Sequence, residues 1–507
     1  MTLETRISRL YEDYKAIALQ EKNPEIQLQL IQALIHFCWM NYPLLFSDPV
    51  LDDQVDRLSL PDIEIEKTQS DHEVYIASSL MEVGGHTRCL LNLISHQPAK
   101  KHTVILTRQS KPLSENMIHV FEKYHVQCVV LKSKAGLIKT ATTVQELIKE
   151  ISPERIFLFH HADDMIPVLA LAKSKRINTI LYNHSDHVFS VGAKYFSRNL
   201  EFRSAGADVS LYGRDIKKVS LHPLPISKTD DTISKQQARI QLGLHAQGFI
   251  IGTLTNVDKA RPIQGSTSMI TWINQLAIKY PLHTFLIIGL NTHQFEQWSL
   301  NQQVATNVVC VGIQPNPELY YRAMDFFLEP FPVGSGLGII EAAAYGAIPI
   351  FTPHATRLTS TYEVLDVSLR SILKQHKNLQ GAEEEIENYL CQTKAEIQEK
   401  SNSIESLVNQ KHRGAYWLQQ LEESLKVNQL RQSISESFIK EESRFFQVYQ
   451  QKTSAQLLTY LLSNPFLSTP KHLFRILRFH RYLFAVKNWS QSNIKRLLIR
   501  LFKKSNP

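Results

Sequence analysis

The sequence predicts an α/β protein with two successive parallel sheets, a helical N-terminal cap and a helical, basic C-terminal tail. Two observations lead to this fold class. From Glu73 onward, short apolar segments with strand character alternate with helical patterns, which is typical of βαβ units. The alternation pauses near Leu224-Pro225 and restarts at Phe249, so the chain contains two such halves of about 150 residues each.

Five apolar segments predict the strands of each half. In the first half they are residues 73–80, 102–107, 127–132, 155–160 and 179–184, with helices at 142–151 and 166–175. In the second half they are residues 249–254, 283–290, 308–313, 326–331 and 348–353, with helices at 268–280 and 337–346. The predicted organisation is a helical segment 1–66, Rossmann-like domains 72–225 and 245–377, a helical closing segment 378–430 and a helical basic tail 431–507.

The composition is that of an ordinary globular protein. The chain has 507 residues, of which 43% are apolar and 21% charged, and no window carries the 18 apolar residues of a membrane span. The N-terminus lacks the apolar region of a secretory signal. The five cysteines are dispersed and odd in number, which predicts buried free thiols in a reducing compartment and a cytoplasmic protein. They are Cys38, Cys89, Cys128, Cys310 and Cys391.

The net charge of +8 is concentrated in the C-terminal tail. Residues 471–507 contain ten lysines and arginines and no acidic residue, so the rest of the chain carries a net charge of about −2. Helical spacing puts Ile494, Leu497, Leu498 and Leu501 on one apolar stripe with the basic residues off it. This pattern predicts peripheral docking on an anionic membrane surface. Packing on the two α/β domains is the alternative, and nucleic acid is the least favoured partner.

Two adjacent glycines follow the first predicted strand. Gly84 and Gly85 permit a tight turn and a close approach of a ligand to the backbone, and the next helix begins there with free N–H groups. Ligands of open parallel sheets bind at the carboxyl ends of the strands, where this pair lies. A tight turn without a ligand explains the same two residues.

Histidines are concentrated at the ends of two neighbouring strands. His160 and His161 end one strand, and the segment Asn183-His184-Ser185-Asp186-His187 ends the next. An imidazole beside a carboxylate acts as a general base near neutral pH, which makes His184, His187 and His161 the catalytic candidates. Metal binding is the rival interpretation, but neither a cysteine nor a suitable carboxylate set completes a metal site locally.

Lys259 lies just past the first strand of the second half, in the segment GTLTNVDKARP. A cation on that loop stabilises the charge that builds up on a departing nucleoside diphosphate. A solvated loop lysine is the structural alternative.

The block FFLEPFPVGSGLGIIEAAAYGAIPIF at 326–351 carries the strongest signal. A strand leads into a cluster of small residues that opens a helix, and such a helix start binds phosphate through its free N–H groups. The cluster is Gly334, Ser335, Gly336, Leu337 and Gly338. Glu341 follows one turn into the helix, where its carboxylate can accept hydrogen bonds from ribose hydroxyls. The glycine cluster comes late in the second half, unlike the first-turn glycines of a plain dinucleotide site.

Over residues 72–425 the sequence resembles the retaining GT-B glycosyltransferases of family 4. The resemblance rests on the Gly-Gly turn, Lys259, the stretch ELYYRAMDFFLEPF and the block GSGLGIIEAAAYGAIPI, in that order. It implies that the first domain faces the acceptor and the second binds a UDP- or GDP-sugar. It also implies that Glu341 binds the ribose, that Gly334 to Gly338 bind the phosphates, and that no metal is required.

One position departs from the family pattern. The family has a second glutamate eight positions before the first, where this chain has Val333, and Glu329 is out of register. The segment EPFPVGSGLGIIEAAAYG is also similar to bacterial protein N-glycosyltransferases, relatives of the O-GlcNAc transferases, which invert. NHSDHVF is similar to a motif of uncharacterised bacterial GT-B proteins. Retention and inversion both stay open.

The predicted activity is transfer of a sugar from a nucleotide-sugar donor to a glycan, lipid-linked or protein acceptor. Two other functions fit the same fold. One is a degenerate GT-B domain that serves as a binding or scaffold module, which Val333 favours. The other is a sugar-nucleotide epimerase.

Overall fold

The computed structural model describes most of the chain, and the tail segment 471–507 lies outside the described residues. The described ranges are 3–65, 68–131, 135–227, 233–244, 248–257, 259–260, 267–299, 303–427 and 436–449. Over these ranges, no helix combines the length and the apolar character that a bilayer crossing needs. All five cysteines fall within the described residues and have free thiols, but only Cys38 and Cys89 are buried, so the prediction of burial is wrong for Cys128, Cys310 and Cys391.

Three helices form the N-terminal cap. They are α1 (Leu3–Gln20), α2 (Pro24–Asn41) and α3 (Pro49–Leu58). Asn23 caps α2 by accepting the N–H of Ile26 at 3.2 Å, and a proline follows at the first helical position. Asp48 caps α3 in the same way, accepting the N–H of Val50 at 2.8 Å. The apolar faces of these helices join the core on one side of the first sheet.

The first sheet has seven parallel strands in the order β3-β2-β1-β4-β5-β6-β7. The strands are β1 (Gln69–Ala77), β2 (Lys101–Leu106), β3 (Gln127–Val130), β4 (Pro153–Phe159), β5 (Asn178–Tyr182), β6 (Arg198–Glu201) and β7 (Val219–Leu221). The helices among them are α4 (Gly85–Ser95), α5 (Glu115–Lys123), α6 (Leu137–Ile151), α7 (Met165–Leu171) and α8 (Ser204–Asp208), the last followed by a π-helical turn at Val209–Gly213. The five predicted strands are confirmed, whereas β6 and β7 were not predicted.

The second sheet has five parallel strands in the order β10-β9-β8-β11-β12. After α9 (Lys235–Gln241) come β8 (Ile250–Leu254), α10 (Met269–Lys279), β9 (Thr284–Ile288), α11 (Thr292–Trp298), β10 (Val308–Cys310), α12 (Glu318–Ala323), β11 (Phe326–Leu328), α13 (Leu337–Ala344) and β12 (Ile348–Ile350). All five strands predicted for this half are confirmed. Large buried aromatics such as Trp272, Tyr321 and Phe327 fill the layers beside this sheet.

The C-terminal helices return the chain to the first sheet. They are α14 (Val367–Arg370), α15 (Leu379–Leu390), α16 (Lys394–His412), α17 (Gly414–Ser424) and α18 (Glu436–Tyr449). The indole N–H of Trp417 on α17 donates to the carbonyl of Pro223 at 2.8 Å. A ring nitrogen of His412 lies 3.0 Å from the carbonyl oxygen of Leu224. Helices α16 and α17 are therefore anchored at the segment that connects the two sheets.

Candidate functional site

The glycine-rich turn between β11 and α13 is shaped partly by packing. A Cβ atom at Gly334 would lie 2.6 Å from Thr361 Cγ2 and 2.8 Å from Glu329 Oε1, so this position admits only glycine. Gly336 has a positive φ of 35° and open space around it, and it caps α13 without a side-chain hydrogen bond. The N-terminus of α13 is thus free of a side-chain cap.

Lys259 meets this turn directly. Its Nζ atom donates to the carbonyl oxygen of Gly334 at 3.0 Å. Burial, reinforced by the charge of Arg203, lowers the pKa of Lys259 to about 8. Ser335 is buried, and its hydroxyl oxygen has no partner among the described residues. The lysine, the hydroxyl and the uncapped helix form one cationic, donor-rich corner at the carboxyl edge of the second sheet.

Glu341 lies on α13 and pairs with a residue of the first half. The Nε atom of Arg88 on α4 is 2.9 Å from Glu341 Oε1, and the glutamate is 2% exposed. Burial raises the pKa of Glu341, and the positive charge of Arg88 opposes that shift. Tyr321, beside the same carboxyl group, is also buried. The predicted ribose ligand is therefore engaged in an ion pair that joins the carboxyl edges of the two sheets.

The second half offers no free carboxylate at the position of the missing family glutamate. Val333 occupies it, partly exposed. Glu329 is fully buried, accepts the N–H of Thr361 at 2.6 Å and lies 3.0 Å from a ring nitrogen of His354. Glu329 is thus bonded within the fold and does not replace the glutamate that the family has at the position of Val333.

Gly84 and Gly85 open α4 at the carboxyl end of β1. Gly84 caps the helix without a side-chain hydrogen bond. A Cβ atom at either glycine would meet nothing within 4 Å, so packing within the protein does not require glycine at these two positions. Space is therefore present beside the N-terminus of α4.

His184 is stacked on a second imidazole, that of His86. The ring centroids are 4.7 Å apart and the planes differ by 28°. Burial lowers the pKa of His184 well below its ordinary value, and burial lowers that of His86 to about 4. Both rings are neutral at pH 7, the form in which an imidazole accepts a proton.

His161 and His187 have structural partners. A ring nitrogen of His161 lies 2.7 Å from Asp163 Oδ1, and Trp39 of the cap packs edge-on against the ring at 4.5 Å. His187 stacks on Phe446 at 4.8 Å and lies 3.3 Å from Asp186 Oδ1. Among the described residues, no group of three or more histidine, cysteine or acidic side chains is arranged to hold a metal ion.

Solved structures share this architecture. A glycosyltransferase from Rickettsia africae matches with a TM-score of 0.54 and 11% identity, covering 71% of this chain and 98% of its own. A mutant O-GlcNAc transferase from Thermobaculum terrenum matches with a TM-score of 0.53 and 12% identity, covering 88% and 83%. The HepE protein of Anabaena, solved with UDP and glucose, matches with a TM-score of 0.51 and 17% identity, covering 70% and 99%.

The chain has the GT-B fold. No protein-family model matches the sequence, and no curated protein matches it. The GT-B fold explains why the two sheets bring their carboxyl edges together, with α4 and α13 meeting there. The resemblance seen in the motifs is thereby confirmed at the level of the fold.

Three residues at this GT-B interface escaped the sequence analysis. They are His86, Arg88 and Arg203. The signal for the first two was their place directly after the Gly-Gly pair, on the first turn of α4. Arg203 spans the interface: it binds Asp186 through two nitrogens at 2.6 and 2.7 Å and donates to the carbonyl of Ser360 at 3.0 Å. Its sequence context, between a short polar strand and a short helix, carried no such signal.

Proposed function

We propose that this protein is a glycosyltransferase that moves a sugar from a nucleotide-sugar donor to an acceptor nucleophile. The observation that carries the proposal is the 3.0 Å contact between Lys259 Nζ and Gly334 O. This contact joins Lys259, the cation predicted to act on the diphosphate, to the glycine turn predicted to bind the phosphates. Lys259 and the uncapped N-terminus of α13 then stabilise the departing diphosphate without a metal ion.

The donor is a nucleoside diphosphate sugar whose diphosphate lies at residues 334–338 and whose ribose lies at Glu341. The N–H of Leu337 begins α13, while that of Gly338 donates to the carbonyl of Ser335 at 2.7 Å, and the unpartnered Ser335 hydroxyl lies close to Gly338. HepE was solved with UDP and glucose, so UDP-sugars are the first donors to test and GDP-sugars the second. Gly84 and Gly85 provide room on the opposite side for the sugar and the acceptor.

The chemical step is a substitution at the anomeric carbon. The acceptor oxygen or nitrogen forms a bond to that carbon, the bond to the diphosphate oxygen breaks, and the acceptor proton passes to a base. The neutral imidazole of His184 is the favoured base, with His86 stacked on it, while His161 and His187 are held by aspartates. A base on the acceptor side and Val333 in place of a glutamate favour inversion.

Assays of turnover separate the candidate functions. We expect the intact chain to release UDP or GDP from a nucleotide sugar and to attach the sugar to an acceptor, as read by mass spectrometry. Nucleotide binding without release would instead indicate a scaffold module, which the engaged state of Glu341 favours. Release of free epimerised sugar nucleotide would indicate an epimerase.

Glu341→Ala is expected to weaken donor binding by tens of fold. Hydrogen bonds to a charged group contribute about 1.5–3 kcal/mol, and the ribose hydroxyls lose that acceptor. Isothermal calorimetry of UDP and GDP with the folded variant measures the change, with the exposed Glu296→Ala as the matched control. Affinity equal to that of the control variant would remove Glu341 from the donor site.

Arg88→Met separates the ion pair from the binding role. If the ribose displaces Arg88 from Glu341, this variant keeps or gains affinity for the nucleotide. If Arg88 is itself a ligand of the donor, Arg88→Met loses affinity for the nucleotide, as Glu341→Ala does.

We propose further that residues 471–507 hold the enzyme on the cytoplasmic face of an anionic membrane. The ten basic residues and the apolar stripe of this segment support the proposal, and a lipid-linked or envelope glycan would suit such a location. Anionic liposomes are expected to pellet the intact chain at low salt and to leave a chain ending at Thr469 in solution. Equal pelleting of both chains, or of neither, would exclude the segment as the anchor.

A further inference from the structure

Helix α18 lies at the contact between the two sheets, beyond the helices that close the fold. Its buried face carries Glu442 and Phe446, which are one helical turn apart. Glu442 is 4% exposed and Phe446 is 3% exposed. These two side chains reach different halves of the protein.

Glu442 binds the backbone of the second half. Its two carboxylate oxygens accept the N–H groups of Arg357 at 3.0 Å and Leu358 at 3.1 Å. A buried carboxylate that accepts two backbone N–H groups holds a loop tightly, because losing it leaves those donors unpaired. The loop concerned, residues 356–361, follows β12.

Loop 356–361 in turn holds the glycine-rich turn. The N–H of Gly334 donates to Thr359 O at 2.8 Å, and Glu329, at the start of the turn, accepts the N–H of Thr361 at 2.6 Å. Arg203 of the first half donates to Ser360 O at 3.0 Å. The loop thus connects Glu442 to the backbone on which Lys259 rests.

Phe446 binds the first half. Its ring stacks on His187 at 4.8 Å with an interplanar angle of 26°, and on Tyr42 of the cap at 5.2 Å with an angle of 17°. Asp186 directly precedes His187 in the chain, and its carboxylate accepts hydrogen bonds from two nitrogens of Arg203. The Phe446 ring therefore packs against the segment that binds Arg203. Glu442 holds the loop whose Ser360 carbonyl accepts a hydrogen bond from Arg203.

We infer that α18 is a brace for the donor site, and that Glu442 and Phe446 are positioning residues for nucleotide binding. The inference rests on the proposed function for its ligand. By fixing loop 356–361 from one side and the Asp186-Arg203 pair from the other, α18 keeps the turn at 334–338 in the conformation that Lys259 contacts. Neither residue touches the reacting atoms.

Amide hydrogen exchange and nucleotide binding together test the brace. Glu442→Ala is expected to speed exchange at residues 334–338 as well as at 357–358, and to raise the Kd for UDP or GDP about tenfold, a usual size for coupling between sites. Glu442→Gln keeps one of the two acceptor oxygens and places an NH2 group against the other N–H, so it should recover only part of the affinity. The exposed Glu441→Ala serves as the matched control.

Phe446→Leu and Phe446→Tyr give a second, independent pair. The leucine variant loses the stacked ring and should raise KM for the donor more than it lowers kcat, whereas the tyrosine variant keeps the ring and should match the parent. Faster exchange confined to 357–358, with unchanged Kd, would overturn the inference. If the parent binds no nucleotide, the proposed function fails, and exchange at 334–338 still decides whether α18 braces the turn.

Discussion

Replacing Lys259 with alanine is expected to lower kcat by about 10²–10³-fold, the usual effect of removing one preorganised electrostatic contact. The ammonium group lies at the glycine turn, and in the proposed mechanism it acts on the charge that develops on the departing diphosphate. Binding of the nucleoside alone should change little, because we propose that this part of the donor lies at Glu341. Steady-state turnover and calorimetry with uridine separate the two effects.

The pH dependence supplies a second signature of Lys259. The pKa of this residue is lowered to about 8, and in the proposed mechanism the charged form is the one that stabilises the leaving group. Activity should therefore fall as the pH rises through about 8, and Lys259→Arg, if active, should keep its activity to higher pH. Lys279→Ala, at an exposed lysine on α10, is the matched control. Full activity of Lys259→Ala would make Lys259 a structural loop residue.

His184→Ala is expected to lower kcat by about 10²–10⁴-fold, the usual contribution of a general base. His86→Ala should have a smaller effect through the lost stacking partner, unless His86 is itself the base. Both imidazoles have lowered pKa values, that of His86 being about 4, and the neutral form is the active one. Activity on the acid side should therefore persist to a pH well below the ordinary pKa of an imidazole.

Single alanine variants at His161 and His187 complete this series. Each is held by an aspartate, so each should retain more activity than His184→Ala. The exposed His293→Ala is the control. Parental rates for all of the variants at positions 86, 161, 184 and 187 would mean that the histidines are structural.

The fold could be predicted because most of its strands are apolar runs in the sequence. All ten predicted strands are present, since strands buried on both faces of a parallel sheet read as continuous apolar segments. Strand β6 was missed because its sequence, RNLE, is polar. The carboxylate of Glu201 on β6 is buried by accepting hydrogen bonds from Asn183 and Ser210, a compensation that becomes visible only in three dimensions.

The predicted α7 was too long for a related reason. The apolar pattern IPVLALAKSK continues to 175, but the helix ends at Leu171. Lys173 then donates to the carbonyl of Ser59 in the cap at 3.0 Å. Carbonyls of the last turn are also bound from outside the helix, since the N–H of Leu60 donates to Leu169 O at 3.0 Å and the side-chain amide of Gln145 donates to Ala170 O at 2.8 Å.

The site residues likewise fall into those that the sequence groups together and those that only the structure brings together. Residues adjacent in sequence, such as Gly334 to Gly338 with Glu341, could be grouped from the motif alone. The pairing of Lys259 with Gly334 and of Arg88 with Glu341 could not, because each contact joins segments that are far apart in the chain. Sequence order also made His184 and His187 equivalent candidates, whereas the stacking of His187 on Phe446 of α18 separates them.

A thermal-shift screen of UDP- and GDP-sugars against the intact chain tests most directly the claim on which the account depends, that residues 334–341 bind a nucleotide sugar. A ligand present at 100 times its Kd stabilises the folded protein by about 2.7 kcal/mol, which raises Tm measurably. We predict that at least one nucleotide sugar raises Tm, and that Glu341→Ala and Lys259→Ala reduce this shift while Glu296→Ala preserves it. A screen in which no nucleotide sugar or nucleoside diphosphate changes Tm would contradict the account.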